Sequence, residues 1–156
     1  MNYYNPTTVT APGEGNPFPF EIVPMLDGYE QTDMGWPVVP SGLRDLLVGL
    51  HEQYADKLPP MMVTENGVAF PDELVEEPEP HVDDSRRVEY LRSHIAAVGD
   101  AIDAGADVRG YFVWSLLDNF EWAEGYHQRF GIVHVVFATQ ERVPKDSAVW
   151  YSNVVR

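Results

Sequence analysis

Cysteine is absent, so this chain can form neither disulfides nor thiolate metal sites, and a reducing compartment suits it. Long apolar runs are missing too. No stretch approaches the length of a membrane span, and no N-terminal segment has the make-up of a signal peptide. Basic residues are scarce: 10 Lys and Arg stand against 25 Asp and Glu, for a net charge of −15. Such a chain is repelled by nucleic acid and by anionic membranes, so neither is expected as a partner. The five histidines (His51, His81, His94, His127 and His134) lack the spacing of a zinc site and read as surface or core residues. The stretch "EEPEPHVDD" is acidic, but it has neither the spacing nor the glycine of an EF-hand loop. It reads as a solvated loop.

What is present is globular in kind. Hydrophobic residues make up 44% and aromatics 12% of 156 residues, enough for one domain with a core. Residues 5–40 hold seven prolines and no helical or strand period. That segment carries Phe18, Phe20, Met25, Tyr29 and Trp36, which predicts an ordered loop packed over something rather than a linker. A helix follows, capped by Ser41, with Leu43, Leu46, Leu47, Leu50 and Tyr54 on one face and Pro59-Pro60 as its stop. "MMVT", Met61 to Thr64, reads as a strand buried on both faces.

Residues 71–84 form an acidic, proline-rich loop. A second helix opens near Asp83 or Asp84, shows Val88, Leu91, Ile95, Val98 and Ile102 on one face, and ends at a Gly105 cap. A second buried-type strand runs from Gly110 to Ser115. "RFGIVHVVFATQERVPK" alternates as a small hairpin would, and "DSAVWYSNVV" reads as a terminal helix capped by Asp146 or Ser147. Helices alternating with short apolar strands give an α/β class with parallel strands.

Parallel architectures place reactive groups at the carboxyl ends of their strands. Three such ends carry polar and aromatic residues here. Glu65-Asn66 follows "MMVT", with Gly67 beyond it to let the backbone turn. "WSLLDNFEW" brings Trp114, Asp118, Asn119, Glu121 and Trp122 together, and "MNYYNP" offers Asn2, Tyr3 and Tyr4. Indoles beside carboxylates suit a sugar, whose ring faces stack on Trp while its hydroxyls donate to carboxylates. The plain alternatives are a turn or helix cap for Glu65 and core packing for the tryptophans.

"MMVTENGVA" resembles the nucleophile segment of family 1 glycoside hydrolases, the retaining β-glucosidase family. "NYYNP", "DMGWPVVPSGL" and "YFVWSLLDNFEWAEGYHQRFGIVHVVFATQERVPKDSAVWY" are similar to further segments of that family, in its usual order. The resemblance covers nearly the whole chain. It implies a (β/α)8 barrel, which needs about 250 residues. At 156 residues the chain is too short for a whole one. It resembles the C-terminal part only, from the end of the sixth strand through units seven and eight. The expected fold is therefore an incomplete (β/α)8 barrel, with residues 1–156 forming part of one catalytic domain.

For the site, the resemblance implies Glu65 as nucleophile and Tyr4 as the phenol that orients it, with Asn2 as a nearby polar residue ordering the site. Glu121 and Trp122 resemble the pair that binds the sugar's distal hydroxyls, Trp114 the platform under the ring, Phe130 an aromatic wall, and Trp36 the platform on the leaving-group side. Members acting on 6-phosphorylated glycosides lack the glutamate at position 121, so an unphosphorylated β-glucoside, or a β-galactoside or β-fucoside, is the implied substrate. The family keeps its acid/base in an Asn-Glu-Pro motif, which this chain does not contain.

The implied activity is hydrolysis of terminal β-D-glucosyl residues without metal or organic cofactor. The chain alone is expected to be inactive without the missing N-terminal barrel half. Its open strand edges should favour self-association, and its location is expected to be cytoplasmic. Two alternatives stand beside this reading. One is a non-catalytic sugar-binding remnant. The other is the product of a truncated reading frame, since Met1 stands where the family has an aliphatic residue before "NYY".

Overall fold

The computed structural model describes residues 1–24, 28–75 and 77–156. Its elements in chain order are β1 (Val9–Thr10), β2 (Glu21–Ile22), α1 (Pro40–Tyr54), β3 (Met61–Asn66), β4 (Glu73–Val75), β5 (His81–Asp83), α2 (Ser85–Asp103), β6 (Val108–Val113), β7 (Val133–Val136), β8 (Glu141–Pro144) and α3 (Asp146–Val154). β3 and β6 pair in parallel, with α2 crossing between them. The N-terminal residues extend this sheet on its other side. Asn2 bridges Glu65 in parallel, the Tyr3 N–H donates to the Glu65 carbonyl at 2.9 Å, and the Thr64 N–H donates to the Met1 carbonyl at 2.8 Å. Three parallel extended segments, with α1 and α2 as their crossovers, make an α/β unit as expected.

The helices pack on one side of this sheet. Leu43 and Leu47 of α1, Val98 and Ala101 of α2, and Met61 and Val63 of β3 share one core cluster. Fully burying a leucine contributes about 1.5–3 kcal/mol, so Leu43 and Leu47 alone go far to hold α1 down. The other side of the sheet is uncovered. Met62 is 47% exposed and Phe112 53% exposed. β3 therefore alternates between buried and open residues, contrary to the expectation of a strand buried on both faces, because no described element lies over its second face. The chain exposes 9659 Å², where a folded monomer of its mass exposes roughly 7,900 Å².

The helix faces differ from the periodicity in a consistent way. α2 buries Arg87, Tyr90, Leu91, His94, Ala97, Val98 and Ala101, while Ile102 is exposed. Its inward face is rotated by about one residue from the apolar stripe, because two polar side chains, Arg87 and His94, face the interior with partners waiting there. Leu46 and Tyr54 of α1 likewise point outward. Ser41 is not a cap: α1 starts at Pro40 with Val39 before it, and proline's fixed φ suits the first helical turn. Asp84 precedes α2 and Lys145 precedes α3, neither with a side-chain capping bond. Gly105 does sit just past α2 in a left-handed conformation, φ 103°, as a C-terminal cap requires.

The hairpin expected over residues 129–145 is β7 with β8, and the acidic loop holds a second one, β4 with β5. The segment over residues 5–40 departs most from expectation. Phe18 and Phe20 lie exposed beside the small β1–β2 ribbon, so this stretch packs over nothing in the described residues. Its final part behaves otherwise: Thr32, Pro37 and Val39 are buried. Met25 lies outside the described residues.

Candidate active site

The end of β3 departs from simple alternation. Between Val63↔Tyr111 and Asn66↔Val113, β3 has three steps where β6 has two. One extra residue in a strand reverses the phase of every side chain after it. Met61 and Val63 face the helices, so without the bulge Glu65 would follow them inward. Instead Asn66 is fully buried and Glu65 is only partly so. The bulge thus turns a carboxylate to the open side and an amide to the core.

Gly67 follows for a reason other than a sharp turn. A Cβ there would stand 1.8 Å from the Trp114 carbonyl oxygen, closer than any side chain permits. The backbones of the two strand ends touch, and the Trp114 N–H donates to the Asn66 carbonyl at 2.9 Å. Glycine is needed for close approach rather than for its freedom in φ.

Glu65 opens into a cavity of about 290 Å³ lined by Tyr4, Trp36, Glu65, Trp114, Glu121, Trp122 and Phe130. The Tyr4 hydroxyl donates to Glu65 Oε2 at 3.0 Å. Burial, and then that hydrogen bond to a carboxylate, push the Tyr4 phenol well above its ordinary range, so it stays a donor. Tyr4, Trp36 and Phe130 form an aromatic corner with ring centroids 5.5 to 6.2 Å apart. Phe130 is buried, whereas Trp122 is 82% exposed and sits at a positive φ of 44°. That is an uncommon backbone position for a bulky residue. Seven of the eight residues singled out in the sequence line this one cavity. Asn2 does not. It accepts a hydrogen bond from Thr64 Oγ1 at 2.6 Å and lines a separate recess with Tyr3 and Leu46.

A second polar cluster lies behind the cavity; of its members the sequence motifs held only Asp118, which joins this cluster and does not line the cavity. Lys145 Nζ sits 2.6 Å from Asp72 Oδ2 and 3.1 Å from Asp118 Oδ1. Arg87 bonds Asp84 at 2.5 Å and reaches Asp72 at 3.4 Å, and it donates to the Arg129 carbonyl at 2.7 Å. Asp118 takes Arg129 at 3.0 Å and the Gly131 N–H at 2.9 Å, so the cluster grips both neighbours of Phe130. Burial opposes charge on Asp72, but Lys145 and Arg87 outweigh it and hold its carboxyl below the usual range. Asp72, Asp118 and His134 offer ligating atoms within 4.8 Å of one another, as a metal site would. The Lys145 ammonium already stands between the two carboxylates, so the cation there is the protein's own. The acidic, proline-rich loop over residues 71–84 is thus anchored near both ends, by Asp72 and by Asp84, and Asp84, the last residue of the stretch read as solvated, is buried.

The comparisons with known proteins bear on this geometry directly. A family model described as glycosyl hydrolase family 1 matches residues 2–156. The chain belongs to that family. Beta-glucosidase A of Thermotoga maritima is 51% identical over 156 residues, which is the whole of this chain and 33% of the relative. A 6-phospho-beta-galactosidase of Lacticaseibacillus rhamnosus is 44% identical over 129 residues, 81% of this chain and 27% of the relative. A solved structure of the Thermotoga maritima family 1 β-glucosidase in complex with isofagomine lactam is similar at a TM-score of 0.87 and 45% identity, over 99% of this chain and 33% of that one.

The chain therefore spans about a third of the length of the relatives it matches. Its fold is consistent with part of the (β/α)8 barrel of those glycosyl hydrolases. No described helix is long and apolar enough to cross a membrane.

Proposed function

We propose that this chain carries the nucleophile and much of the sugar subsite of a retaining β-glucosidase, in the last barrel units: Met1–Tyr4 as the end of the sixth strand, β3 as the seventh and β6 as the eighth. The observation that carries the reading is the Tyr4–Glu65 hydrogen bond opening into a cavity walled by three tryptophans, a phenylalanine and Glu121. In this reading a Glu65 oxygen attacks the anomeric carbon of a β-glucoside. The bond from that carbon to the leaving oxygen breaks, and the electron pair departs with the leaving group. Water then attacks the same carbon of the glycosyl ester, releasing glucose and restoring the carboxylate. Trp114 supplies the platform under the ring, Glu121 and Trp122 bind its distal hydroxyls, Phe130 forms a wall, and Trp36 is the platform on the leaving-group side.

A retaining enzyme places a second carboxyl about 5 to 5.5 Å from the first to protonate the leaving oxygen. No acid/base motif of this family occurs in the chain, so ordinary glucosides need the rest of the barrel. Glu121 bears on the substrate as well. Because relatives include an enzyme named for a 6-phosphorylated sugar, family membership does not decide between substrates. A carboxylate in the cavity repels phosphate, which favours an unphosphorylated glucoside.

The test uses 2,4-dinitrophenyl 2-deoxy-2-fluoro-β-glucoside, whose leaving group departs without acid help. The purified chain is expected to gain one fluoroglucosyl unit by intact mass, and Glu65→Gln to gain none. Absence of an adduct under conditions that label a whole family 1 β-glucosidase would overturn the nucleophile assignment. It would favour a non-catalytic sugar-binding role, seen as gluconolactone binding that Glu121→Ala abolishes.

A further inference from the structure

The side chain that meets Glu65 is aimed by groups that never reach the cavity. Tyr4 sits in the bend that follows the Asn2–Glu65 bridge, at the edge of the sheet, where no ladder bond among the described residues fixes its far side. Instead, both peptide planes that flank its Cα are held from the core. On one side, Asn66 Nδ2 donates to the Tyr3 carbonyl at 2.7 Å. On the other, the Tyr90 hydroxyl donates to the Tyr4 carbonyl at 3.4 Å. Two fixed planes around one Cα fix φ and ψ there, and with them the direction of the side chain.

The two holders are themselves joined. Asn66 Nδ2 also donates to the Tyr90 hydroxyl at 3.0 Å, and Asn66 Oδ1 accepts from the Tyr111 hydroxyl at 2.5 Å. Every hydrogen in this set therefore has one destination. Tyr111 donates to Asn66, Asn66 to Tyr90 and to the Tyr3 carbonyl, and Tyr90 to the Tyr4 carbonyl. Asn66 is fully buried and Tyr90 nearly so, so water does not compete for these bonds. Burial also pushes the Tyr90 and Tyr111 phenols above their ordinary range, which keeps them donors.

We propose that Asn66 and Tyr90 are positioning residues that set the Tyr4–Glu65 hydrogen bond from the core side of the sheet. The catalytic part of this proposal rests on the reading of Glu65 as nucleophile. The bulge at the end of β3 gives the arrangement its logic. It sends Glu65 to the cavity and its neighbour Asn66 to the core, so one strand end supplies both the reacting carboxylate and the amide that aims its partner.

The experiment compares Tyr90→Phe with Tyr151→Phe in the full chain. Each loses one phenol hydroxyl that donates to a backbone carbonyl. That of Tyr151 goes to the Tyr111 carbonyl at 3.1 Å and reaches neither Asn66 nor Tyr4. Two readouts are taken. One is the rate of labelling by 2,4-dinitrophenyl 2-deoxy-2-fluoro-β-glucoside across its concentration range. The other is the 13Cζ resonance of Tyr4 in tyrosine-labelled protein, assigned through its loss in Tyr4→Phe.

Small misplacements at a reacting centre cost on the order of tenfold to a hundredfold in rate. Tyr90→Phe is therefore expected to lower the maximal labelling rate about tenfold, with the half-saturating concentration unchanged. Its Tyr4 resonance should move as it does in Glu65→Gln. Tyr151→Phe should match the wild type in both readouts, which a merely structural role for these hydroxyls does not predict. Asn66→Ala should act in the same direction as Tyr90→Phe and more strongly; if it does not fold, Tyr90→Phe decides alone. A Tyr4 resonance unmoved in Tyr90→Phe overturns the positioning role, whatever the labelling shows. A resonance that moves in a chain that never labels upholds the aim of Tyr4 on Glu65 and overturns the nucleophile reading instead.

Discussion

Lys145 and Glu65 are both charged side chains near strand ends, Lys145 just past the antiparallel β8 and Glu65 near the end of the parallel β3, yet their surroundings are finished to different degrees. Around Lys145, the carboxylates of Asp72, Asp84 and Asp118 meet the cations of Arg87, Arg129 and Lys145 itself, and Lys145 is 0% exposed. Charges of both signs balance inside the fold, and the backbone carbonyls of Val68, Phe70 and Arg129 take the spare donors of Arg87. Around Glu65, one phenol donor and a set of rings surround an opening, with Trp122 almost bare. A buried charge must be met within the protein, because burial without a partner costs several kcal/mol per ion. A sugar site must leave its partners free for the ligand. Substitutions in the first region should thus damage folding, and substitutions in the second should damage chemistry with little effect on folding.

The largest effect should come from Lys145→Met. The change keeps most of the side chain's length but leaves Asp72 and Asp118 facing each other without their shared cation. Breaking a buried pair in this way costs about 3–5 kcal/mol, read as a lower urea midpoint. Asp118→Asn in the same background should recover part of the loss, since one of the two repelling charges goes with it. If Lys145→Met unfolds at the same urea concentration as the wild type, the cluster is not the closed unit described here.

His94 gives the next effect, and it depends on pH. The imidazole is buried, stacked on Tyr90 at a centroid distance of 3.9 Å, and its Nε2 has no protein hydrogen-bond partner. Burial lowers its pKa to about 4 from an ordinary 6.5. The folded chain thus binds this proton later than the unfolded chain does as the pH falls. Stability attributable to His94 is intact above pH 6.5 and falls progressively between about 6.5 and 4, by on the order of 3 kcal/mol. Asp72, whose carboxyl is held low, loses its contribution only below the ordinary carboxylate range. His94→Leu should therefore flatten the upper part of the acid profile in urea titrations and leave the lower part unchanged. An unaltered profile between pH 6.5 and 4 would count against the buried neutral imidazole.

The two regions were also unequally legible in the sequence. The cavity residues stand in short motifs, "NYY", "MGW", "TENG", "WSLLDNFEW" and "RFG", and seven of the eight proposed from them line one opening. The ion cluster left less of a trace: of its members the motifs held only Asp118, which reads there as a carboxylate beside the indoles and not as an ion-pair partner. Asp72 and Lys145 are 73 residues apart, and no periodicity links them. Arg87 and His94 were passed over on α2 because a stripe of apolar residues is a one-way guide: it finds hydrophobic contacts and discounts polar groups whose partners lie elsewhere in the chain. Gly67 was recognised as necessary but for the wrong reason, since the approach of the Trp114 backbone exists only once the two strands are paired. The aromatic residues Phe18 and Phe20 misled in the other direction. Their number implied packing, but side chains cannot report whether the surface they would cover is within the same 156 residues.

The smallest effect on stability, and the sharpest contrast with Lys145, belongs to Trp122. Its indole is mostly exposed and makes none of the aromatic contacts that join Tyr4, Trp36 and Phe130. Its removal exposes no charge and opens no core cavity, and exposed substitutions of this kind usually change stability by about 0.5 kcal/mol or less. Alanine keeps the same constraint at the positive φ, so the backbone there gains no relief. In the proposed sugar subsite, however, its indole offers ring area and an N–H donor for a distal hydroxyl, which alanine cannot replace. Trp122→Ala should leave the urea midpoint within error and raise the half-saturating concentration of the fluoroglucoside about tenfold, the equivalent of ~1.4 kcal/mol. A matching loss of stability would place Trp122 with the fold-holding residues. Unchanged labelling would remove it from the proposed sugar subsite and leave Glu121 to bind the distal hydroxyls there.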